Sequence, residues 1–434
     1  MLSHVDKLWE KKRKYTLIAY VVQYTIIGFE KSVTGITLWM YLTTVIKTGN
    51  PELFFGIIGL VYFAPSLFFS MLVARLVDRS RRIKLIISIC NFMSMVGCIV
   101  YVIPRSPYYP MIGQILMGLN FSITRIITSA EIARSYPTDE MEKKLPVLMV
   151  FFFVGYSVGP IVGNFLRNVN FTLFGLPITI CNISGLLSLI LFMFAQISIL
   201  ILAHDLSREY DLKEITSEKK HKPLKDEEET SWNVLKKVVK NFDVLFVMIM
   251  TILAAFSRLA FDHSFPVIIG KLSLPYYLIA IFYISQSVIL VGIIVVLTTS
   301  KHTRKAVYLS GVASILFLLI SGVFQTILIK AELNNTSDIV LTFLLSTSIT
   351  VVEIGEQFFL LTVSANLISS KHQGYVESIR DVLRGIGSIL GSLVSAYVVD
   401  YCFTFLIGLA LSCFIQLLVL ILRRKTYKDP KILI

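Results

Sequence analysis

Long apolar runs leave this chain few ways to fold. Roughly twelve of them, each about 20 residues or more, alternate with short polar connectors, and about 20 residues is the length at which an α-helix crosses a hydrocarbon layer of ~30 Å. In the first half they cover residues 16–42, 53–76, 85–103, 111–132, 145–166 and 177–202; in the second, 242–269, 276–297, 306–329, 339–367, 378–399 and 403–422. With 55% of residues hydrophobic and 16% charged, most of the chain has to face lipid rather than enclose one aqueous core. The pattern predicts an all-α membrane protein of twelve transmembrane helices. Its parts are two six-helix halves (1–203 and 242–423), a polar linker (204–241) and a tail (424–434).

The placement of Lys and Arg fixes the orientation. The +13 excess would suggest nucleic acid in a soluble chain, but here the basic residues cluster in alternate connectors, as the positive-inside rule requires. Lys7 to Lys14, Arg79 to Lys84, Lys143 with Lys144, Lys301 to Lys305, and Arg423 to Lys431 share one side, which is predicted to be cytoplasmic with both termini. The first apolar run holds Glu30 and Lys31 and has no small-residue cleavage site, so it reads as an uncleaved helix. The linker's back end, Trp232 to Lys240, fits either a helix lying on the membrane face or a solvated connector. Acceptor triplets at Asn170, Asn334 and Asn335 fall in connectors on the opposite side and predict glycosylation there, whereas those at Asn120 and Asn182 lie inside predicted helices. The five cysteines sit in or beside apolar segments with no CxxC spacing, so neither a disulfide framework nor a metal site is expected. His263, beside Asp262, reads as a hydrogen bonder rather than a ligand. No nucleophile elbow, zinc helix or phosphate loop is present, and an enzyme or a bound cofactor is not expected.

Two motifs recur at matching places in the halves. The turn Asp78-Arg79-Ser80-Arg81-Arg82 is echoed by Lys301-His302-Thr303-Arg304-Lys305, and Gly155, Gly159, Pro160 and Gly163 of the fifth run are echoed by Gly387 and Gly391 of the eleventh. Small residues four apart let membrane helices approach closely. Repetition of this kind is how an internally duplicated carrier reads in sequence.

Ala74-Arg75-Leu76-Val77-Asp78-Arg79-Ser80-Arg81-Arg82 resembles the turn between helices two and three of the major facilitator superfamily, with Ala74 and Arg81 in place of the two glycines. The resemblance implies that Asp78, Arg79 and Arg82 latch a cytoplasmic gate through charge-assisted bonds. Phe29-Glu30-Lys31-Ser32, Leu38 to Leu42, Ala64-Pro65, Arg134-Ser135-Tyr136, and Gln373-Gly374 with Arg384 and Gly391 are similar to the lysosomal major facilitator subfamily linked to neuronal ceroid lipofuscinosis. That likeness implies a lysosomal solute carrier. Asp429, Leu433 and Ile434 also fit a dileucine-type sorting signal for a cytosolic adaptor, so the lysosomal membrane is the leading location and the plasma membrane the alternative.

Charges within the spans are functional candidates by default. They are Glu30 in helix one, Arg125 and Glu131 in helix four, Arg258 and Asp262 in helix seven, and Glu353 and Glu356 in helix ten, the helices that line the cavity in the family the chain resembles. Arg258 and Asp262, four apart, either neutralise one another or serve the pathway, and Glu30 with Arg125 poses the same choice. Glu353 and Glu356, three apart, share a helix face, and two carboxylates in low dielectric make a proton acceptor. Arg125 suits an anionic substrate because a guanidinium keeps its charge and binds a carboxylate or phosphate with two bonds. Gln23, Tyr24, Tyr283, Gln286 and Gln357 are further candidates for the path. Three readings follow: a transporter of a small, anionic solute coupled to protons, an anion channel on the same scaffold, and a transport-dead receptor or scaffold. Alternation between two halves favours the first.

Overall fold

The computed structural model describes residues 4–80, 82–136, 138–166, 169–206, 239–275, 277–299, 304–331, 335–367 and 370–424, with Lys236 and Tyr427. The chain divides into two compact units, Met1–Lys225 and Asp226–Ile434. In the first, α1 (His4–Met40) runs into a π-helical turn (Tyr41–Val45) and is followed by α2 (Pro51–Ser80), α3 (Ile83–Tyr101), α4 (Tyr108–Ser135), α5 (Thr138–Phe165), a β1–β2 hairpin (Asn170–Leu173 and Leu176–Thr179) and α6 (Ile180–Leu202). The second contains α7 (Phe242–Lys271), α8 (Tyr277–Thr299), α9 (Arg304–Lys330), α10 (Asn335–Leu367), α11 (Ser370–Ser395) and α12 (Cys402–Leu422). Eight of these helices are long and apolar enough to cross a membrane; α5, α8 and α11 carry shorter apolar stretches, at Val150–Gly163, Tyr277–Ile293 and Val382–Ser395. Helix α1 falls outside both groups, and Glu30 and Lys31 lie within it.

The same packing is built twice. Helix α1 packs on α5, α2 on α4, α3 on α4 and α3 on α6; six helices later α7 packs on α11, α8 on α10, α9 on α10 and α9 on α12. Glycine makes two of these contacts possible. A methyl group at Gly155 would strike the Thr25 carbonyl, one at Gly159 the Ser32 hydroxyl, and one at Gly28 the Phe152 carbonyl, so α1 and α5 approach backbone to backbone. On the other half, Gly387 faces the Ile252 carbonyl and Gly391 the Phe256 carbonyl in the same way. Gly163 differs from the sequence expectation: among the described residues, no atom outside its own stretch of helix lies within 4 Å of where its Cβ would stand.

Buried polar groups hold the first unit together from within. Gln23 of α1, Asn91 of α3 and Asn120 of α4 are all 0% exposed. Gln23 Nε2 donates to Asn91 Oδ1 at 2.6 Å, Asn91 Nδ2 to Gln23 Oε1 at 3.0 Å and to Gln196 of α6 at 3.3 Å, and Asn120 Nδ2 to Asn91 Oδ1 at 3.0 Å. Four helices are thus tied by amides that lipid could not satisfy. Gln23 therefore acts as a structural tie. Tyr24, whose hydroxyl shares a bond with Thr128 Oγ1 at 2.8 Å, likewise joins α1 to α4.

The hairpin before α6 is a feature the sequence pattern did not reveal. Its turn residues, Phe174 and Gly175, both have positive φ (50° and 77°), the geometry of a two-residue turn whose twist matches the strands. Asparagine or glycine usually takes the first of these positions, and a phenylalanine there leaves no turn signature. The register pairs Asn170 with Thr179, and Thr179 then caps α6 in a reciprocal box with Asn182. Asn182 is thus consumed by the helix start, whereas Asn170 is exposed.

Candidate functional site

Three of the charges expected within the spans of the second unit, Arg258, Glu353 and Glu356, line one small cavity. Arg258 lies on α7 one turn before Asp262, and its Nη1 meets Glu353 Oε1 of α10 at 2.5 Å, while its Nε stands 3.6 Å from Asp262 Oδ2, beyond hydrogen-bond length. The Arg258, Glu353 and Asp262 side chains are 22%, 14% and 5% exposed. Asp262 is held from α8 as well: Gln286 Nε2 donates to its Oδ1 at 3.1 Å, and the Tyr283 hydroxyl donates to its backbone carbonyl at 2.9 Å. Gln286 and Tyr283 therefore position Asp262. Arg258 and Glu353, with Glu356, Arg384, Thr251 and Ser388, line a cavity of about 40 Å³. That volume admits two or three waters or one small polar group.

The second unit settles the pairings that spacing left open. Arg258 and Asp262 do share a face, but the shorter bond of Arg258 crosses to Glu353, so one guanidinium bridges two helices. Glu353 and Glu356 both open on the cavity, one ion-paired and the other buried at 3% exposure. Arg384 was not read as a pathway residue in the sequence, and neither was Arg380, 4% exposed on the same helix. Their spacing with Ser388, four residues at a time, was the available signal: it sets all three on one face of α11. Intramembrane charge is thus carried by α11 as well as by α1, α4, α7 and α10.

A different site forms in the first unit. Glu30, 1% exposed, accepts a hydrogen bond from Thr34 Oγ1 at 3.1 Å and from the Tyr62 hydroxyl at 3.5 Å. Lys31 points into a box of four rings: its Nζ is 4.8 Å from the centroid of Phe63, 5.5 Å from Phe121, 5.9 Å from Tyr156 and 6.0 Å from Tyr62. Each such contact contributes about 0.5–2 kcal/mol according to its desolvation, so the rings replace much of the hydration that an ammonium loses inside a membrane protein. Its rings come from α2, α4 and α5, at positions far apart in sequence. A second charge beside Glu30 in an apolar run was the one available sign. Arg125 lies half-buried on α4 and Glu131 is buried on the same helix.

Other expected site residues distribute as follows. Arg82 is exposed and starts α3. Asp78 and Arg79 belong to the last turn of α2, and their side chains lie outside the described residues, as do Arg81, Asn334, the side chain of Gln357, most of the linker, and Asp429, Leu433 and Ile434. Asn335 is exposed but opens α10 instead of sitting in the preceding loop, since Asn335-Thr336-Ser337-Asp338 is a good helix start. Tyr427, just beyond α12, is buried between Phe246 of α7 and Phe359 of α10, with ring centroids at 5.9 and 6.0 Å. Burial, with Asp243 beside it, pushes its hydroxyl far above the usual range, so it stays protonated. Among the described residues no group of three metal-ligating side chains occurs.

Comparison with known proteins gives this arrangement a family. The sequence profile described as Major Facilitator Superfamily matches residues 20–358. The chain belongs to the Major Facilitator Superfamily. Solved structures of this superfamily share the fold at low identity. The inward-open xylose transporter XylE from E. coli matches with a TM-score of 0.68 and 12% identity, over 92% of this chain and 94% of that one. The nucleoside transporter NupG matches with 0.61 and 15%, over 94% and 99%. A bacterial homolog of the human lysosomal transporter Spinster, inward-facing and unoccupied, matches with 0.59 and 13%, over 96% of each. No curated protein matches the sequence. Membership in the superfamily makes the chain a multi-pass membrane transporter, and the twelve helices and their repeated packing agree with its fold.

Proposed function

We propose that the protein is a proton-coupled secondary transporter of a small organic anion, working by alternating access, and that its membrane is the lysosomal one. The observation that carries the coupling is the Arg258–Glu353 pair at the wall of a cavity that Glu356 also lines. The shorter of the two ion pairs described for Arg258 is the one to Glu353. An incoming carboxylate or phosphate that takes the guanidinium must displace Glu353, and a displaced carboxylate beside Glu356 in low dielectric is neutralised by a proton. Anion and proton then move together. Arg384 adds a second guanidinium on the cavity wall, and Arg125 is the candidate anion binder of the first unit.

Location rests on two sequence features, the resemblance of the Glu30, Pro65, Tyr136 and Gly374 clusters to the lysosomal subfamily and the Asp429–Ile434 pattern. The Spinster likeness is in keeping with it. Tagged protein should colocalise with a lysosomal marker and move to the plasma membrane when Leu433 and Ile434 are changed to alanine.

Coupling is tested with purified protein in liposomes holding a pH-sensitive dye, challenged with a panel of small carboxylates and organic phosphates. At least one anion should acidify the lumen in a concentration-dependent way, and Glu353→Gln with Glu356→Gln should abolish the proton signal. A chloride current that ignores pH and disappears in Arg125→Ala would instead make the protein a channel. No flux for any anion, with linker or tail changes alone altering the cell, would make it a scaffold.

A further inference from the structure

The hairpin before α6 has two unlike faces. Residues paired directly across an antiparallel ladder point to the same side, and neighbours along a strand to opposite sides. The register therefore sets Phe171, Leu173, Leu176 and Ile178 on one face and Asn170, Thr172, Pro177 and Thr179 on the other. The apolar face is closed only at its base: Ile178 is buried and Leu173 and Leu176 are half-buried, but Phe171 is 45% exposed and Phe174 at the tip 97%. A two-stranded hairpin with an open apolar face is marginal in water. Phe174 adds a positive φ, which disfavours any residue with a Cβ. Nothing the ring touches within the protein offsets that cost, since almost all of its surface is open.

Position indicates what lies beneath. The hairpin stands between the apolar stretch Val150–Gly163 of α5 and the span that opens at Ile180, so its base is at the membrane surface. Along α5, Phe151, Val154, Val158, Ile161 and Phe165 are exposed at intervals of three or four residues, a wholly apolar stripe of the kind that faces lipid. The stripe ends at Phe165, 83% exposed, five residues before β1 begins. Strands of four residues are about 13 Å long, whereas the headgroup layer on each side of a bilayer is about 5–7 Å deep. Upright, the hairpin would carry Phe174 through that layer into water; lying over, it continues the apolar stripe and keeps the ring in the interface.

We propose that the β1–β2 hairpin is a membrane anchor, laid on the phospholipid leaflet at its end of the first unit. Phe171 and Phe174 enter the boundary between headgroups and acyl chains, and Asn170 and Thr172, both exposed, face water. Aromatic rings favour that boundary, and their burial there offsets the cost of the turn. The acceptor triplet Asn170-Phe171-Thr172 is divided accordingly, its Asn and Thr on the wet face and its central ring in lipid.

Spin labelling of the full chain tests the anchor without a substrate, so it stands or falls apart from the transport scheme. Asn170→Cys, Phe171→Cys, Thr172→Cys and Phe174→Cys are labelled one at a time with a nitroxide and reconstituted as single chains in phosphatidylcholine nanodiscs. The five native cysteines are buried and react slowly, and the unaltered protein supplies their background. Collision with oxygen, which concentrates in lipid, should exceed collision with a water-soluble nickel chelate at Phe171→Cys and Phe174→Cys, and the order should reverse at Asn170→Cys and Thr172→Cys. Nickel dominating at all four positions would overturn the proposal. Labels at Phe171→Cys and Phe174→Cys that neither reagent reaches would overturn it too, by placing the face against protein. Phe174→Asn, which supplies a residue the turn prefers, is the second variant. Combined with the label at Phe171→Cys it should reduce the oxygen excess there, and an undiminished excess would remove the tip ring from the anchor. The labelled tip at Phe174→Cys replaces a side chain that is almost wholly exposed, so folding does not depend on it.

Discussion

Replacing single glycines of α5 with alanine separates a glycine that a contact requires from one that only looks like part of a motif. In a helix interior, Gly→Ala gains about 1 kcal/mol from propensity alone. At Gly163 nothing else changes, since among the described residues no atom outside its own stretch of helix lies within 4 Å of the new methyl, so Gly163→Ala should be neutral or stabilise by up to about 1 kcal/mol. At Gly155 the methyl overlaps the Thr25 carbonyl and lies 3.0 Å from the Phe29 backbone nitrogen. Those atoms belong to the α1 backbone and cannot rotate away, so the helices must part, at an overpacking cost at the upper end of about 1–3 kcal/mol. After the propensity gain, Gly155→Ala should lose about 2 kcal/mol, giving a gap of about 2–3 kcal/mol between two identical changes eight residues apart. Unfolding by sodium dodecyl sulfate in mixed micelles, followed by circular dichroism, reads the difference. Equal midpoints for the two variants would refute the claim that α1 and α5 meet through Gly155.

Three further outcomes are expected. Gly387→Ala should behave like Gly155→Ala, because its methyl meets the Ile252 carbonyl and lies 3.0 Å from Ala255 Cβ; a neutral result would break the equivalence of the two halves at this crossing. Asn91→Leu should cost about 1–2 kcal/mol by stranding the amides of Gln23, Asn120 and Gln196, while Lys271→Ala, which removes a 2.9 Å pair with an Asp400 side chain that is 49% exposed, should cost less than about 1 kcal/mol; the same micelle titration ranks them. The five cysteines are all buried and free, so a maleimide should label the folded protein slowly and the denatured protein rapidly at five positions, and fast labelling of the folded state would contradict their burial.

Sequence made the helices legible because lipid demands a continuous apolar stretch. It misplaced some of their ends for the same reason. Helix α1 begins at His4 rather than at residue 16, and α11 at Ser370 rather than 378, since a helix does not stop where its apolar stretch does and Lys-rich or polar turns continue it. The duplicated glycines were visible as a pattern, yet only neighbouring backbone could distinguish Gly155 from Gly163. Of the candidate site, the one-turn spacing of Arg258 with Asp262 and of Glu353 with Glu356 was readable along single helices. The bond from Arg258 to Glu353 was not, because it joins residues 95 positions apart, and the Lys31 box draws its rings from three other helices. Contacts across helices leave no periodicity in the chain.

Tyr427 anchors the chain just beyond α12. Its ring is wedged between Phe246 of α7 and Phe359 of α10. A movement that parts α7 from α10 therefore has to release this ring or carry it along with one of the two helices, which ties any such rearrangement to a single buried side chain. Changing Tyr427 to alanine would remove that tie while leaving both helices intact.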